Sequence, residues 1–175
     1  MRTLVFSVFL IGSLLLISYS KAAGIQGTFY LVPQKSDNVA QIEDSVLSQM
    51  NCIIRPFARN KLSKAARVRD KLSIALSGNR IYVIAGDYVL PTAPTDGTLV
   101  RYRNREGNIV GLQTRLVGGK LEQTFSTDKG IRTNTCELSD DGITLTMHVV
   151  IKSDYLCKPM AYTLVYRKGP NPSKG

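Results

Sequence analysis

The sequence is poor in the residues from which most active sites are built. It contains one histidine, His148, and three cysteines that form no Cys-x-x-Cys pair, so the usual zinc-binding spacings are absent. The signatures G-x-S-x-G, G-x-x-x-x-G-K-[ST], H-E-x-x-H and G-x-G-x-x-G are also missing. We therefore predict no catalytic residue, no metal site and no cofactor, and we interpret the protein as a non-enzyme in which His148 is structural.

Acidic residues are scarce as well. The chain has 13 Asp and Glu against 23 Lys and Arg, which gives a formal net charge of +10. A basic surface attracts anionic lipid, nucleic acid or an acidic partner, and otherwise keeps a protein soluble. The charge therefore narrows the class of partner without naming one.

The single long apolar run lies at the N-terminus. Residues 4–17 follow Arg2 and form an apolar stretch that is too short to span a membrane. Small residues at Ser20 and Ala22 favour cleavage after Ala22. We predict that residues 1–22 are a cleaved signal peptide and that the protein is secreted or periplasmic. Export makes nucleic acid the least suitable of these three classes of partner, and we predict that the protein binds no nucleic acid.

The three cysteines are too few to replace a hydrophobic core as the source of stability. In an oxidising compartment one pair can form and leave one thiol over. Sequence separation does not identify the pair among Cys52, Cys136 and Cys157. Free buried thiols are the alternative.

One amphipathic helix is predicted early in the chain. Ser36, Asp37 and Asn38 provide residues that cap helix N-termini. We predict a single lid helix over residues 37–52, with Glu43 and Asp44 on its polar face. Its apolar stripe consists of Val39, Ile42, Val46, Leu47, Met50 and Ile53.

Residues 55–71 form the most basic segment, with Asp70 as the only acid. Pro56 argues against a direct continuation of the first helix, so the segment is predicted to be a loop or a broken second helix. It is either a solvated basic stretch or a patch that faces an anionic membrane surface. The patch would consist of Arg55, Arg59, Lys61, Lys64, Arg67 and Arg69.

From Leu72 onward, apolar residues alternate with polar ones and short turns interrupt the alternation, as in SGNR, NREG, TDKG and SDDG. About nine short strands joined by hairpins will curl, and closing the sheet removes its exposed edges. We predict one mostly β domain over residues 23–168, an up-and-down antiparallel barrel of eight to ten strands, with a flexible tail at 169–175. A two-sheet sandwich needs longer crossovers, and only residues 91–97 offer one.

The order of these segments resembles that of the calycin superfamily of lipocalins and fatty-acid-binding proteins. The first strand reads GTFYLV at residues 27–32, a helix follows, then the hairpin KLSIALSGNRIYVI, and the last strand ends in VYR at 165–167. The resemblance covers nearly all of residues 23–168. It implies a barrel that binds a small apolar or amphipathic ligand beneath the helix.

The resemblance also implies a ligand site. Tyr166 matches the tyrosine of the family's carboxylate-binding triad, whereas Leu164 and Cys136 occupy the positions of its two arginines. Arg132 lies four residues before Cys136, on the same strand face, and can supply the missing charge. We predict a site formed by Met160, Tyr162, Leu164, Tyr166 and Arg132. The alternative is a barrel filled by these side chains in a non-enzymatic interaction protein, such as an inhibitor or an envelope adaptor.

Two choices are open for the inward face of residues 143–151. The hydrophobic pattern favours Ile143, Leu145, Met147, Val149 and Ile151. Counting from Gly142 as in the resembling family instead turns Thr144, Thr146, His148 and Val150 inward and predicts a wet cavity. A one-residue bulge at SDDG would reconcile the two.

Overall fold

The computed structural model describes residues 24–169. The predicted signal peptide, residues 1–22, lies outside the described residues, as does the predicted tail apart from Gly169. Within the described range, no helix has the length and apolar character that a membrane crossing demands. Cleavage and export therefore stay predictions.

The described chain contains eleven β-strands. The two shortest lie in or beside the stretch that the sequence predicts as a loop, residues 91–97. The strands are β1 (Gly27–Leu31), β2 (Lys71–Ser77), β3 (Arg80–Ala85), β4 (Tyr88–Val89), β5 (Ala93–Pro94), β6 (Val100–Arg103), β7 (Ile109–Val117), β8 (Lys120–Thr127), β9 (Gly130–Leu138), β10 (Thr144–Lys152) and β11 (Met160–Lys168).

The strands form one antiparallel sheet in the order β4-β3-β2-β1-β11-β10-β9-β8-β7-β6, and β5 pairs with β3. From β7 to β11, each strand pairs with the next strand in sequence. The first strand pairs with the last, with Phe29 opposite Lys168 and Leu31 opposite Tyr166. Hairpin turns enforce this order because each brings the following strand directly alongside.

The gap between β3 and β7 is bridged by the chain that follows β5. The carbonyl of Thr95 accepts a hydrogen bond from the amide of Leu116, at 3.1 Å, and the amide of Gly97 donates to the carbonyl of Thr114, at 2.9 Å. Because β5 itself pairs with β3, backbone hydrogen bonds continue around the sheet. The predicted mostly β class and up-and-down antiparallel barrel are confirmed.

Two α-helices and one short 3-10 helix, Pro33–Lys35, lie between β1 and β2. We name the α-helices α1 (Val39–Ser48) and α2 (Arg55–Ala65). The side chain of Asn38 caps α1 by accepting a hydrogen bond from the amide of Gln41, at 3.2 Å. We call α1, α2 and the turn between them the helical cap.

The second helix corrects the expectation of a single one. Pro56 lies in the first turn of α2. Backbone N–H groups in the first turn have no acceptor within the helix, so the N–H that proline lacks costs no hydrogen bond. Pro56 therefore stands at the start of a helix. Of the two alternatives for the basic segment, a loop or a second helix, the structure shows the helix. Only the residues after Ala65 link this helix to β2.

The cap also corrects two expectations about which residues face the core. Val46, Leu47 and Met50 are buried, as the predicted stripe requires, but Glu43 is buried with them at 8 % exposure. Ile53 is 75 % exposed and lies beyond α1, in the turn. The stripe therefore ends at Met50.

The inward face of β10 is the one that the hydrophobic pattern favours. Leu145, Met147, Val149 and Ile151 are at most 6 % exposed, while His148 on the other face is exposed. Counting from the family was wrong here. The ladder pairs Leu138 with Leu145 and continues without interruption to Ile131 opposite Lys152, which fixes the register of β10 beyond the turn.

Candidate functional site

The five residues of the predicted ligand site all face the barrel interior. Met160, Tyr162, Leu164 and Tyr166 of β11 are at most 3 % exposed. Arg132 of β9 is half-buried, on the strand face that also carries Cys136. Their convergence follows from the alternation of strand side chains, which places every second residue on one face. Their role in ligand binding stays a prediction.

The three polar groups of this set bind the end of the helical cap. The hydroxyl of Tyr162 donates to the carbonyl of Ala66, at 3.1 Å, and the hydroxyl of Tyr166 donates to the carbonyl of Arg69, at 3.0 Å. Arg132 Nη1 donates to the carbonyl of Ala65. The last carbonyls of a helix have no partner within it, so these side chains satisfy the end of α2 and the linker after it. We call these three hydrogen bonds the latch.

Burial of the two tyrosines suits this donor role. Removal from water raises the pKa of Tyr166, and it also raises the pKa of Tyr162. Arg132 partly opposes both effects because its positive charge favours a phenolate. Burial outweighs that attraction, so both phenols stay protonated donors at neutral pH.

A row of polar side chains that the sequence analysis missed lies beside Arg132. Thr114, Gln123 and Asn134 stand opposite one another on β7, β8 and β9, and all three are buried, at 0 %, 3 % and 7 % exposure. Arg132 Nε donates to Asn134 Oδ1 at 2.8 Å. Thr114 Oγ1 has no hydrogen-bond partner among the described residues. We call Thr114, Gln123 and Asn134 the polar row.

The polar row is the unusual feature of an otherwise apolar interior. Its neighbours on the same strand faces include Leu112, Leu121 and Cys136, all buried. A buried hydroxyl without a partner costs about 1–3 kcal/mol, so such groups generally have a water or a ligand to satisfy them. The row also lies next to the guanidinium of Arg132, and none of the ion pairs between described residues involves that arginine.

The interior is closely filled. Inward residues such as Leu112, Leu145 and Leu164 are only 0–2 % exposed. Two cavities of the described chain lie elsewhere and open outward. One, of about 480 Å³, adjoins Thr28, Ser73 and Tyr82, and the other, of about 530 Å³, lies at the β6–β7 turn. A ligand would therefore have to displace side chains or raise the cap.

The six cations of the predicted anion patch are mostly engaged. Arg59 Nη1 contacts Asp44 Oδ1 at 2.7 Å, and Lys64 Nζ lies 3.6 Å from Glu106 Oε1. The other four members differ: Arg55 donates to the carbonyls of Ser48 and Met50, Arg69 contacts Asp87, and Lys61 and Arg67 form no ion pair with any described residue. The structure therefore leaves two unpaired cations where the sequence suggests six.

Exposed apolar side chains accompany these cations. Ile53 and Phe57 are each 75 % exposed, and Ile54 between them is 49 % exposed. Phe57 and Lys61 are four residues apart on α2 and therefore share a face of the helix. We call Ile53, Ile54 and Phe57 the apolar tip of the cap. The apolar tip is hard to recognise in the sequence because its residues lie next to Pro56 and among charged residues.

Three arginines and the histidine lie on the outer surface of the barrel. Arg101 and Arg103 of β6 and Arg115 of β7 face solvent. His148 is exposed on β10, where its Nδ1 lies 3.0 Å from Thr163 Oγ1. Across residues 24–169, no three His, Cys, Asp or Glu side chains come together as a potential metal site.

Comparison with known proteins gives structural but not sequence relatives. No protein-family model and no curated protein matches the sequence. A fatty acid binding protein of Schistosoma mansoni in complex with arachidonic acid is 15 % identical, with a TM-score of 0.53 over 86 % of this chain and 99 % of that one. Lipid binding protein 8 of Caenorhabditis elegans is 14 % identical, with a TM-score of 0.54 over 83 % and 96 %.

A third similar structure is a secretary abundant heat soluble protein from Ramazzottius varieornatus. It is 10 % identical, with a TM-score of 0.57 over 83 % of this chain and 96 % of that one. At such identities the likeness establishes the fold alone. The chain thus has the calycin-like barrel fold, distantly similar to that of fatty-acid-binding proteins.

Proposed function

We propose that the protein is exported and binds a small amphipathic molecule inside its barrel, with the polar head of that molecule at Arg132 and the polar row. The observation that carries the proposal is the buried, unpartnered hydroxyl of Thr114 on β7. The polar row leads from it to Arg132 on β9, and this arginine has no acidic partner among the described residues. An anionic or hydrogen-bonding head would satisfy both groups. Similarity to a lipid binding protein and to a fatty acid binding protein supports a binding role over a catalytic one.

The filled interior sets a condition on this function. The apolar body of a ligand must take the place of side chains, and Met147 and Met160 are suited to moving because methionine is unbranched and flexible. Entry must also release the latch, since Arg132, Tyr162 and Tyr166 hold the linker after α2. We therefore expect uptake to be slow compared with diffusion and to open the cap.

The test uses purified protein and two chemically defined probes, a fluorescent fatty acid and its neutral alcohol analogue. Arg132→Gln should weaken binding of the acid by about tenfold to a hundredfold, because a charge-assisted hydrogen bond contributes about 1.5–3 kcal/mol. The alcohol should be affected less. Arg101→Gln, which removes an exposed charge on β6, is the matched control and should leave both affinities unchanged.

Native mass spectrometry separates this function from its alternative. A carrier retains or takes up a lipid, and Thr114→Val should remove a polar contact to the head without loss of fold. Protein that shows only its own mass and binds neither probe at micromolar concentration contradicts the proposal. That result would favour the interaction protein with a side-chain-filled barrel, which the close packing of the interior supports.

The apolar tip favours a membrane as a second partner. Ile53, Ile54 and Phe57 can enter the boundary of a bilayer while Lys61 and Arg67 attract anionic headgroups, each contributing about 1 kcal/mol near the surface. This arrangement combines apolar area with charge, which basic residues alone do not provide. We therefore propose that the helical cap contacts anionic membranes when ligand is exchanged.

Sedimentation with vesicles tests this contact. Binding should be strong with anionic and weak with neutral phospholipid, and salt should reduce it because charges are screened over roughly 8–10 Å at physiological ionic strength. Phe57→Ala should lower binding, and so should Lys61→Gln combined with Arg67→Gln. The double control Arg101→Gln with Lys152→Gln removes the same charge elsewhere and should have no effect. Equal loss in both double variants would contradict docking through the cap.

A further inference from the structure

The three thiols of the chain lie in different surroundings. Cys136 is 1 % exposed on the inward face of β9, and burial raises the pKa of its thiol to about 12. Cys52 and Cys157 are both exposed. A low-reactivity thiol inside the barrel wall is therefore separated from two thiols that solvent and oxidants can reach.

The two exposed cysteines belong to segments that touch. Cys157 lies in the loop between β10 and β11, and its Sγ is 3.7 Å from the backbone oxygen of Gln49, the C-cap of α1. Cys52 follows Gln49 by three residues, which span at most about 10 Å even when extended. The chain bends at Met50, so the cysteines need only a local adjustment to approach the Cα separation of about 4.4–6.8 Å that a disulfide requires.

The two segments differ in their contacts with the core. The β10–β11 loop is anchored because Leu156 packs against the core cluster. The turn that carries Cys52 exposes Asn51, Cys52 and Ile53 together. It is held from within the cap, where Arg55 donates to the carbonyl of Met50 at 3.0 Å. A bond between the two cysteines therefore requires an adjustment of the exposed turn and not of the loop that packs against the core.

We propose that Cys52 and Cys157 form a disulfide that ties the helical cap to the β10–β11 loop. One thiolate attacks a sulfur of an oxidised low-molecular-weight disulfide such as glutathione disulfide, and a glutathione thiolate leaves. The second protein thiolate then attacks the protein sulfur of this mixed disulfide and displaces the second glutathione. One disulfide is reduced as the other forms, and the two thiol protons pass to the departing thiolates.

This pairing excludes Cys136 for a physical reason. Its sulfur lies inside the barrel between Leu121 and Met147, its partners in the strand register. A bond from it to either other cysteine would require opening the wall. The proposal stands independently of the proposed ligand, because it concerns only which thiols can meet.

The experiment equilibrates the purified protein in glutathione redox buffers and counts thiols with Ellman's reagent. Native reduced protein should show two reactive thiols, and the oxidised protein none, with Cys136 appearing only after denaturation. A non-reducing peptide map should contain one cross-linked pair, Cys52 with Cys157. The bond should raise the Tm by about 5 °C or more, since it closes a long loop of the unfolded chain.

Variants separate this result from other thiol chemistry. Cys52→Ser and Cys157→Ser should each leave one reactive thiol under oxidising conditions and lose the rise in Tm, whereas Cys136→Ala should keep the link. If Cys136→Ala does not fold, the wild-type peptide map decides. The proposal is overturned if both thiols stay reactive in the oxidising buffer, carry glutathione permanently, or join two molecules in a dimer.

Discussion

The barrel wall formed by β7–β11 and the helical cap are built in different ways. In the wall, β10 and β11 pair without interruption from Thr144 opposite Arg167 to Ile151 opposite Met160. Inward side chains there are almost completely buried. The cap is joined to the barrel by one buried face, the three hydrogen bonds of the latch and exposed ion pairs, and it leaves the apolar tip in solvent.

The difference indicates where the molecule can open. Separating two wall strands breaks many backbone hydrogen bonds at once, so such an event approaches global unfolding in cost. Raising the cap breaks three side-chain hydrogen bonds, each with a net contribution of about 0.5–1.5 kcal/mol, and exposes the buried faces of α1 and α2. Access to the interior therefore lies under the cap, at the end where Arg132 and the polar row lie.

Matched leucine truncations give the largest expected effect. Leu145 of β10 is 0 % exposed and Leu62 of α2 is 5 % exposed. We expect Leu145→Ala to lower the free energy of unfolding by about 3–5 kcal/mol, because the surrounding strands cannot collapse into the cavity. Leu62→Ala should cost about 2 kcal/mol, since the cap can settle inward. Urea denaturation measures both, and equal losses would refute the difference between wall and cap.

Removing the two tyrosine hydrogen bonds of the latch should have the next largest effect. Tyr162→Phe with Tyr166→Phe leaves the carbonyls of Ala66 and Arg69 without these donors, and we expect a loss of about 1–3 kcal/mol for the pair. Hydrogen exchange should rise in α2 and its linker while the amides of β8–β10 stay protected. Tyr82→Phe, at an exposed position on β3, is the control. Uniformly faster exchange would mean that the tyrosines support the wall instead.

The wall could be predicted from the sequence because its information is local. Turns such as TDKG and SDDG mark the strand ends, and alternation marks the inward face, as β10 shows. The short strand β5 could not be predicted, since residues 91–97 contain Pro91 and Pro94 and read as a loop, and β4 consists of only two residues, Tyr88–Val89. The sequence left α2 undecided because a proline such as Pro56 can mark either the end of one helix or the first turn of another.

The candidate site was harder to predict because its information is non-local. Inward alternation identified Tyr162 and Tyr166, but their hydrogen-bond acceptors are backbone carbonyls 96 and 97 residues away. The polar row depends on register, which aligns Thr114, Gln123 and Asn134 across three strands. A signal was nevertheless present, because Thr114 and Gln123 are each a polar residue between apolar neighbours on an inward strand face.

A smaller effect should come from Glu43 in the cap. Burial raises the pKa of its carboxyl, the negative charge of Asp44 adds to the rise, and Arg59 opposes it. The raised pKa means that the folded state retains the proton more strongly than the unfolded state. Its stabilising effect is complete below the ordinary pKa of glutamate and is lost as the pH rises through the folded-state pKa. Ionised Glu43 therefore destabilises the fold at neutral pH.

Thermal unfolding of Glu43→Gln at several pH values tests this effect. We expect the variant to have a slightly higher Tm than the wild type at pH 7, and the difference should vanish in acid, where both side chains are neutral. Gln41→Glu, which adds a charge on the exposed side of α1, serves as a control for helix charge. A Tm difference that persists unchanged into acid would mean that the carboxyl group itself packs poorly.

The smallest effect concerns the ion pair between α2 and the β6–β7 turn. Lys64 and Glu106 have half-exposed side chains, and their charged atoms are 3.6 Å apart. Exposed pairs contribute about 0.2–1 kcal/mol, and salt weakens them. A double-mutant cycle of Lys64→Gln and Glu106→Gln should therefore give a coupling within this range that declines in salt. A larger, salt-resistant coupling would show that charges, and not the latch, hold the cap to the wall.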